Sequence, residues 1–133
     1  MRISSSDLVN KALSEIRTLS VQEALAMHGR DDVQFIDLRD IRELQREGRV
    51  PGAFHAPRGL LEFWIDPESE YAKPVFQKNK TFVFFCAAGM RSALATKTAK
   101  DMGMSKVAHI DGGFSAWRKS GGAVEMPEPR SKT

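Results

Sequence analysis

The chain has 133 residues, of which 41% are hydrophobic and 28% are charged, so its length and composition suit one compact domain and exclude wholesale disorder. Twenty Lys and Arg residues against 17 Asp and Glu residues give a net charge of +3, and the basic residues are scattered along the chain. This distribution argues against nucleic-acid binding but is compatible with a small anionic ligand.

The chain contains a single cysteine, Cys86, so no internal disulfide can form. Its first 16 residues lack an apolar stretch followed by a cleavage site, and no uncharged apolar run approaches the ~18 residues of a membrane span. We therefore expect a cytoplasmic protein in a reducing compartment, without a membrane partner.

Helical and extended patterns alternate along the chain up to the cysteine. A capping box at 20–23 begins one helix and Gly48 ends another. The predicted elements are, in chain order, a helix with apolar positions at 8–16, a helix over 21–28, a strand over 33–36, a helix over 40–47, a strand over 54–56, a helical turn over 60–64 and a helix that begins at Asp66-Pro67.

The clearest strand spans 81–85, where five aromatic or β-branched residues follow one another without polar alternation. Such a run is typical of a parallel strand that is covered on both faces. A helix over 91–102, a strand over 106–110 and a last helix over 114–119 follow. The alternation predicts a single α/β domain with a mostly parallel sheet.

Cys86 comes directly after this strand, at the carboxyl end, where open α/β sheets bind ligands. The next three residues are small, and they let the chain curl so that several N–H groups point inward. A predicted helix start and the guanidinium of Arg91 also favour an anion. We therefore predict that Cys86 is an exposed thiolate held by main-chain amides, rather than a small buried hydrophobe.

Four segments, in this order, resemble the rhodanese-type sulfurtransferase domain. They are FIDLRD at 35–40, GRVPGAFHAPRG at 48–59, VFFCAAGMRSALA at 83–95 and VAHIDGGFSAW at 107–117. The resemblance divides the chain into an N-terminal helical extension at 1–18, a rhodanese-like domain at 19–122 and a flexible C-terminal tail at 123–133.

This resemblance implies a central, mostly parallel sheet with helices on both faces and Cys86 as the sulfur-carrying nucleophile. Family members with six positions from the cysteine to the last loop residue are sulfurtransferases, whereas related phosphatases carry one residue more. The loop here, Cys86 to Arg91, has the shorter form. The candidate substrate-binding residues are Ala87, Ala88, Gly89, Met90, Arg91 and Arg58, with Asp37 and Ser92 in supporting roles.

The activity that the resemblance implies is a two-step sulfur transfer. Cys86 takes a sulfane sulfur from thiosulfate, a persulfide or a polysulfide, and then passes it to cyanide, a small thiol or a protein thiol. No cofactor beyond the covalent persulfide is expected, and no metal, because the three histidines share no ligand spacing. No general base is expected, because an ionised Cys86 needs none and no histidine stands beside it in the sequence.

The substrate and the class of function are left open by the sequence. Thiosulfate-preferring family members often carry a cation directly after the nucleophile, where this chain has Ala87, and Met90 makes the loop more apolar still. A less charged persulfide or polysulfide is the alternative donor. The same loop would suit a Cys-dependent phosphatase or arsenate reductase, and a non-catalytic sulfur relay or binding module would also retain it.

Residues outside the loop are expected to be mainly structural. Asp37 is expected to order nearby loops by hydrogen bonds, and Trp117 to lie in the core. Arg39, Arg42 and Glu43 are expected to form a structural ion-pair network. Two alternatives stay open: Arg58 borders the pocket or forms a surface ion pair, and the segment 60–64 is an apolar docking patch or core packing.

Overall fold

The computed structural model describes residues 2–127 of the chain. The strands are β1 (Arg17–Leu19), β2 (Val33–Asp37), β3 (Phe54–His55), β4 (Thr81–Phe85) and β5 (Val107–Ile110). The α-helices are α1 (Ser5–Glu15), α2 (Val21–Met27), α3 (Ile41–Glu47), α4 (Leu61–Ile65), α5 (Met90–Asp101) and α6 (Gly113–Lys119). Short 3-10 helices span Arg58–Leu60 and Pro74–Gln77.

The five strands form one sheet in the order β1-β5-β4-β2-β3, and every neighbouring pair is parallel. The central strand β4 pairs along its whole length with β2, so that Phe85 lies opposite Asp37. The carboxyl ends of these two strands therefore reach the same edge of the sheet. This arrangement confirms the predicted α/β class with a mostly parallel sheet.

Alternate residues of β4 contribute to two separate cores. Phe82 and Phe84 pack with α4 and α5 on one face, whereas Val83 and Phe85 pack with α2 and α6 on the other. Helix α1 packs outside α5. The unbroken apolar run of β4 is thus explained by helices on both faces of the sheet, as predicted.

Strand β1 is not predicted by the sequence analysis. It has three residues, of which Arg17 and Thr18 are exposed, so no apolar pattern marks it. It pairs with β5, and Thr18 lies opposite His109. The strand crosses the predicted boundary between the N-terminal extension and the domain.

The prediction that a helix begins at Asp66-Pro67 is wrong. Asp66 instead ends α4, because its N–H donates to the carbonyl of Glu62. Its carboxylate accepts a hydrogen bond from the N–H of Glu68 at 2.9 Å, which stabilises a turn. The residues that follow lack an apolar repeat that would pack a helix onto the sheet.

Part of the predicted C-terminal tail is in contact with the domain. Glu125 forms an antiparallel bridge with Arg49, and their side chains are paired at 3.0 Å. The indole N–H of Trp117 donates to the carbonyl of Ala123 at 2.8 Å. The rest of the predicted tail, residues 128–133, lies outside the described residues. None of the helices within residues 2–127 is long and apolar enough to cross a bilayer.

A fully buried ion pair joins Asp37, at the end of β2, to Arg39. The guanidinium donates to both carboxylate oxygens, Nε to Oδ1 at 3.0 Å and Nη2 to Oδ2 at 2.9 Å. It also donates to the carbonyl of Gly48 at 2.8 Å and stacks 4.0 Å above the ring of Phe114. The pair therefore ties the end of β2 to the residue that ends α3 and to α6.

Substitution of Asp37 tests this buried pair. Asp37→Asn leaves the charge of Arg39 buried without a counterion, so we expect the free energy of unfolding to fall by about 3–5 kcal/mol. Asp32→Asn is the matched control. Asp32 also pairs through both carboxylate oxygens with an arginine two residues away, Arg30, but that pair is exposed to solvent. The control should unfold in urea almost as the wild type does, and equal losses for the two variants would contradict the assignment.

Candidate active site

The loop that joins β4 to α5 folds around the sulfur of Cys86. The N–H groups of Gly89 and Ser92 donate to Sγ at 3.2 and 3.4 Å, so main-chain amides hold the sulfur as predicted. The predicted exposure of the thiol is wrong, because Cys86 is only 1% exposed. Its sulfur is in contact with Ser92 in the first turn of α5.

Gly89 gives the loop its sharp turn. Its φ is +113°, a conformation that L side chains rarely adopt, and it immediately precedes α5. A Cβ built on Gly89 would meet no atom closer than 3.6 Å. The backbone conformation, rather than lack of space, therefore requires glycine at this position.

The start of α6 packs directly against the backbone of the loop. The N–H of Phe114 donates to the carbonyl of Cys86 at 2.8 Å, and the N–H of Ser115 donates to that of Ala87 at 3.1 Å. Gly113 makes this approach possible, because a Cβ there would overlap the carbonyl oxygen of Cys86 and lie 2.9 Å from the carbonyl carbon of Ala87. The path of the loop is therefore fixed from outside by main-chain contacts.

Arg91 is held by an ion pair between α5 and α3. Its two terminal nitrogens donate to the two carboxylate oxygens of Glu43 at 2.9 and 3.0 Å. The hydrogen bond from Arg91 lowers the pKa of Glu43, and the same bond raises the pKa of Arg91, to which Cys86 makes a smaller contribution. The guanidinium therefore lies within electrostatic reach of the sulfur while it is anchored to Glu43.

The predicted network of Arg39, Arg42 and Glu43 does not form. Arg39 pairs with Asp37, Arg42 pairs with Asp40, and Glu43 pairs with Arg91. Glu43 is thus a residue of the site that the sequence analysis missed. Its carboxylate also accepts the N–H of Asp40 in the capping box of α3, a pattern that is readable in the sequence but does not reveal the partner on α5.

The side chain of Arg58 forms its hydrogen bonds with α4 and α5 rather than with the cysteine loop. It donates to Glu62 at 2.9 Å in an ion pair four residues apart, and reaches Thr98 of α5 at 3.5 Å. These contacts agree with the surface ion pair that the sequence left as one alternative. The substrate-binding role of Arg58 stays a prediction.

Ser92 connects Cys86 to a buried histidine that the sequence analysis does not assign to the site. Its Oγ lies 3.6 Å from Sγ of Cys86 and 3.0 Å from Nδ1 of His109 on β5. The other ring nitrogen of His109, Nε2, lies 3.1 Å from Oγ1 of Thr18 on β1. Burial lowers the pKa of His109 despite the opposing charge of Asp111, which favours the neutral imidazole.

A cleft of about 410 Å³ lies beside the loop, between α1 and the first turns of α5. Met90, which is 65% exposed, forms part of its wall. The lining residues are Ser5, Ser6, Val9, Asn10, Met90, Arg91 and Leu94. The apolar side chains among them give this cleft a less polar surface than a cation-rich anion site would have.

The segment 60–64 is partly buried and partly exposed, and its role as a docking patch stays a prediction. Leu61 is buried in the core with the neighbouring Ile65, whereas Leu60 and Phe63 are exposed. Leu60, Phe63, Trp64 and Tyr71 together line a shallow apolar depression. Trp117 is 1% exposed and lies in the core, as predicted. Within residues 2–127, no cluster of three or more His, Cys, Asp or Glu side chains is suited to hold a metal ion.

Alanine at position 113 tests the contact between α6 and the loop. Gly113→Ala should lower the free energy of unfolding by at least about 2 kcal/mol more than Gly121→Ala, because the new Cβ overlaps the loop backbone. The control also has a positive φ, +82°, but no atom lies within 4 Å of its Cβ, so it carries only the conformational cost. Chemical unfolding of both variants measures the difference, and equal losses would show that the close approach is not required.

Comparison with known proteins places this geometry in a family. The protein-family model for the rhodanese-like domain matches residues 20–120. Over 108 residues the chain is 29% identical to the thiosulfate sulfurtransferase GlpE of Shewanella oneidensis, which covers 81% of this chain and 98% of that protein.

Two solved structures resemble most of the chain. One is a Rhodopseudomonas palustris protein of unknown function, described as a "possible tyrosine phosphatase", with 54% identity, a TM-score of 0.92 and coverage of 94% of this chain and 96% of that one. The other is a polysulfide-sulfur transferase homodimer from Wolinella succinogenes, with 27% identity, a TM-score of 0.68 and coverage of 92% and 87%. The family match, which extends over most of the chain, shows that this protein belongs to the rhodanese-like domain family.

Proposed function

We propose that the chain is a sulfurtransferase that carries a sulfane sulfur on Cys86 as a persulfide. The observation that carries this proposal is the arrangement of the six-position loop, where the N–H groups of Gly89 in the loop and of Ser92 directly after it point at Sγ. Amides aimed at a sulfur stabilise negative charge on it without supplying or removing a proton. The family's sulfurtransferase relatives support the same class of reaction.

The reaction consists of two successive nucleophilic displacements at the transferred sulfur atom. The Cys86 thiolate attacks the outer sulfur of the donor, and the donor's bond to that sulfur breaks with its electron pair leaving on the remainder, as sulfite or a thiolate. Cys86 then bears a persulfide. An acceptor nucleophile, which is cyanide, a small thiol or a protein thiol, attacks the outer sulfur and releases the Cys86 thiolate.

The donor that fits this site best is a persulfide or polysulfide of low charge rather than thiosulfate. Ala87 occupies the position directly after the nucleophile, where thiosulfate-preferring family members often carry a cation that would meet the thiosulfate dianion. Met90 presents an exposed apolar side chain at the loop. The guanidinium of Arg91 is already paired with Glu43. The cleft beside Met90 offers apolar surface from Val9 and Leu94 for the organic part of such a donor.

A Cys-dependent phosphatase is the second candidate, and the description of the Rhodopseudomonas palustris structure favours it. The same amides and Arg91 would then face a phosphate group. The loop argues against this function, because six positions from Cys86 to Arg91 leave one residue fewer than the related phosphatases use.

Mass spectrometry separates the two candidates. After incubation with a polysulfide, the wild-type protein should gain the mass of one sulfur on Cys86, while Cys86→Ser should gain none and should lose sulfur transfer entirely. The two proteins should unfold at similar temperatures. Turnover by Cys86→Ser, or release of phosphate from an aryl phosphate by a wild type that forms no sulfur adduct, would contradict the proposal.

A cation at position 90 tests the preference for a donor of low charge. Met90→Lys should raise kcat/KM for thiosulfate about fivefold, which corresponds to the ~1 kcal/mol of one new charge interaction near the surface. It should change turnover of an uncharged organic persulfide little. Met90→Leu is the control for side-chain size and should leave the ratio of the two donors unchanged. An unchanged ratio in Met90→Lys would show that charge at this position does not select the donor.

A further inference from the structure

The sulfur of Cys86 has few groups near it that can accept its proton. The N–H groups of Gly89 and Ser92 are donors only, and so is the guanidinium of Arg91. Among the contacts of the described residues, the hydroxyl of Ser92 is the group beside Sγ that can accept a hydrogen bond from the thiol. Because Cys86 is buried, bulk water does not replace that hydroxyl.

The hydroxyl of Ser92 has one proton and three neighbours. They are Sγ of Cys86 at 3.6 Å, Nδ1 of His109 at 3.0 Å and the carbonyl of Gly89 at 3.2 Å. A hydroxyl that donates to Nδ1 can accept from the thiol, and a hydroxyl that accepts from Nδ1–H can donate to the thiolate. The protonation of Cys86 is thus coupled to the tautomer of His109.

The tautomer of His109 is coupled in turn to Thr18. When Nε2 carries the proton it donates to Oγ1 of Thr18, and when Nδ1 carries the proton the hydroxyl of Thr18 donates to Nε2. His109 is 2% exposed, whereas Thr18 on the outer strand β1 is exposed to solvent. The parallel pairing of β1 with β5, which sets Thr18 opposite His109, makes this contact.

We propose that Ser92, His109 and Thr18 form a proton relay that joins the buried sulfur of Cys86 to solvent at the edge of the sheet. Ionisation moves the thiol proton to Ser92 Oγ, the former serine proton to Nδ1, the Nε2 proton to Thr18 Oγ1 and the former threonine proton to water. One proton leaves, and the imidazole is neutral before and after. His109 and Thr18 are positioning residues, because they act on Cys86 through Ser92.

The surroundings of His109 suit a neutral relay. Beside it, β4 presents Phe84, β1 presents Thr18 and α5 presents Ser92, none of which is charged. Asp111, in the turn after β5, is the charged group that acts on the ring. The relay deepens the proposed function, on which it rests, since the first displacement needs Cys86 as a thiolate.

The rate of thiolate formation tests the relay without any sulfur donor, because a relay changes the rate of proton transfer and not its equilibrium. The full chain is mixed rapidly into alkaline buffer, the rise of the ultraviolet absorbance of the Cys86 thiolate is followed in time, and the Cys86→Ser counterpart of each variant is subtracted. Thr18→Val removes the hydroxyl at an exposed position, whereas Thr18→Ser retains it. We expect Thr18→Val to slow thiolate formation about tenfold and Thr18→Ser to form the thiolate at the wild-type rate.

A double-variant comparison separates the relay from a merely structural role. His109→Phe and Ser92→Ala should each slow thiolate formation, and Thr18→Val should slow it no further in the Ser92→Ala background, because the chain is already broken. A wild-type rate in Thr18→Val, or an effect that adds fully to that of Ser92→Ala, would overturn the relay. If the slower rates occur but no sulfur adduct forms on Cys86, the relay holds and the proposed function fails.

Discussion

The main-chain contact between the start of α6 and the cysteine loop is the constraint on which the site depends. The N–H groups of Phe114 and Ser115 bond to the carbonyls of Cys86 and Ala87, so those carbonyls are satisfied outside the loop. The loop amides are then free to point at Sγ. Only a residue without a side chain permits the contact, and Gly113 supplies it. Gly89 and Gly113, which lie in two separate turns, are therefore both needed for the N–H groups to point at Sγ.

Side-chain interactions brace the same site from the edge of the sheet. The buried pair of Asp37 and Arg39 holds the end of β2 against the ring of Phe114, and thus against the helix that supports the loop. Glu43 holds Arg91 from α3. One interaction is buried and the other is partly exposed, so the first fixes the architecture and the second restrains a side chain that can still respond to a ligand.

The local signals in the sequence predicted much of this arrangement. The apolar run of β4, the capping box at 20–23 and the small residues after Cys86 correctly indicated the central strand, the start of α2 and an amide-lined sulfur. The burial of Cys86, the partner of Glu43 and the link to His109 could not be predicted, because each depends on contacts between segments far apart in the chain. β1 was missed because a three-residue outer strand has too few buried positions to leave a pattern.

The brevity of the outer strands has a consequence for how the protein behaves at high concentration. β1 has three residues and β3 has two, so each border of the sheet offers few unpaired N–H and C=O groups to another molecule. Arg17 adds a charged, exposed side chain to one border. Short and charged borders disfavour edge-to-edge pairing, the first step of β-aggregation. A sheet with an uninterrupted apolar centre is in this way protected from edge-to-edge β-pairing by its short outer strands.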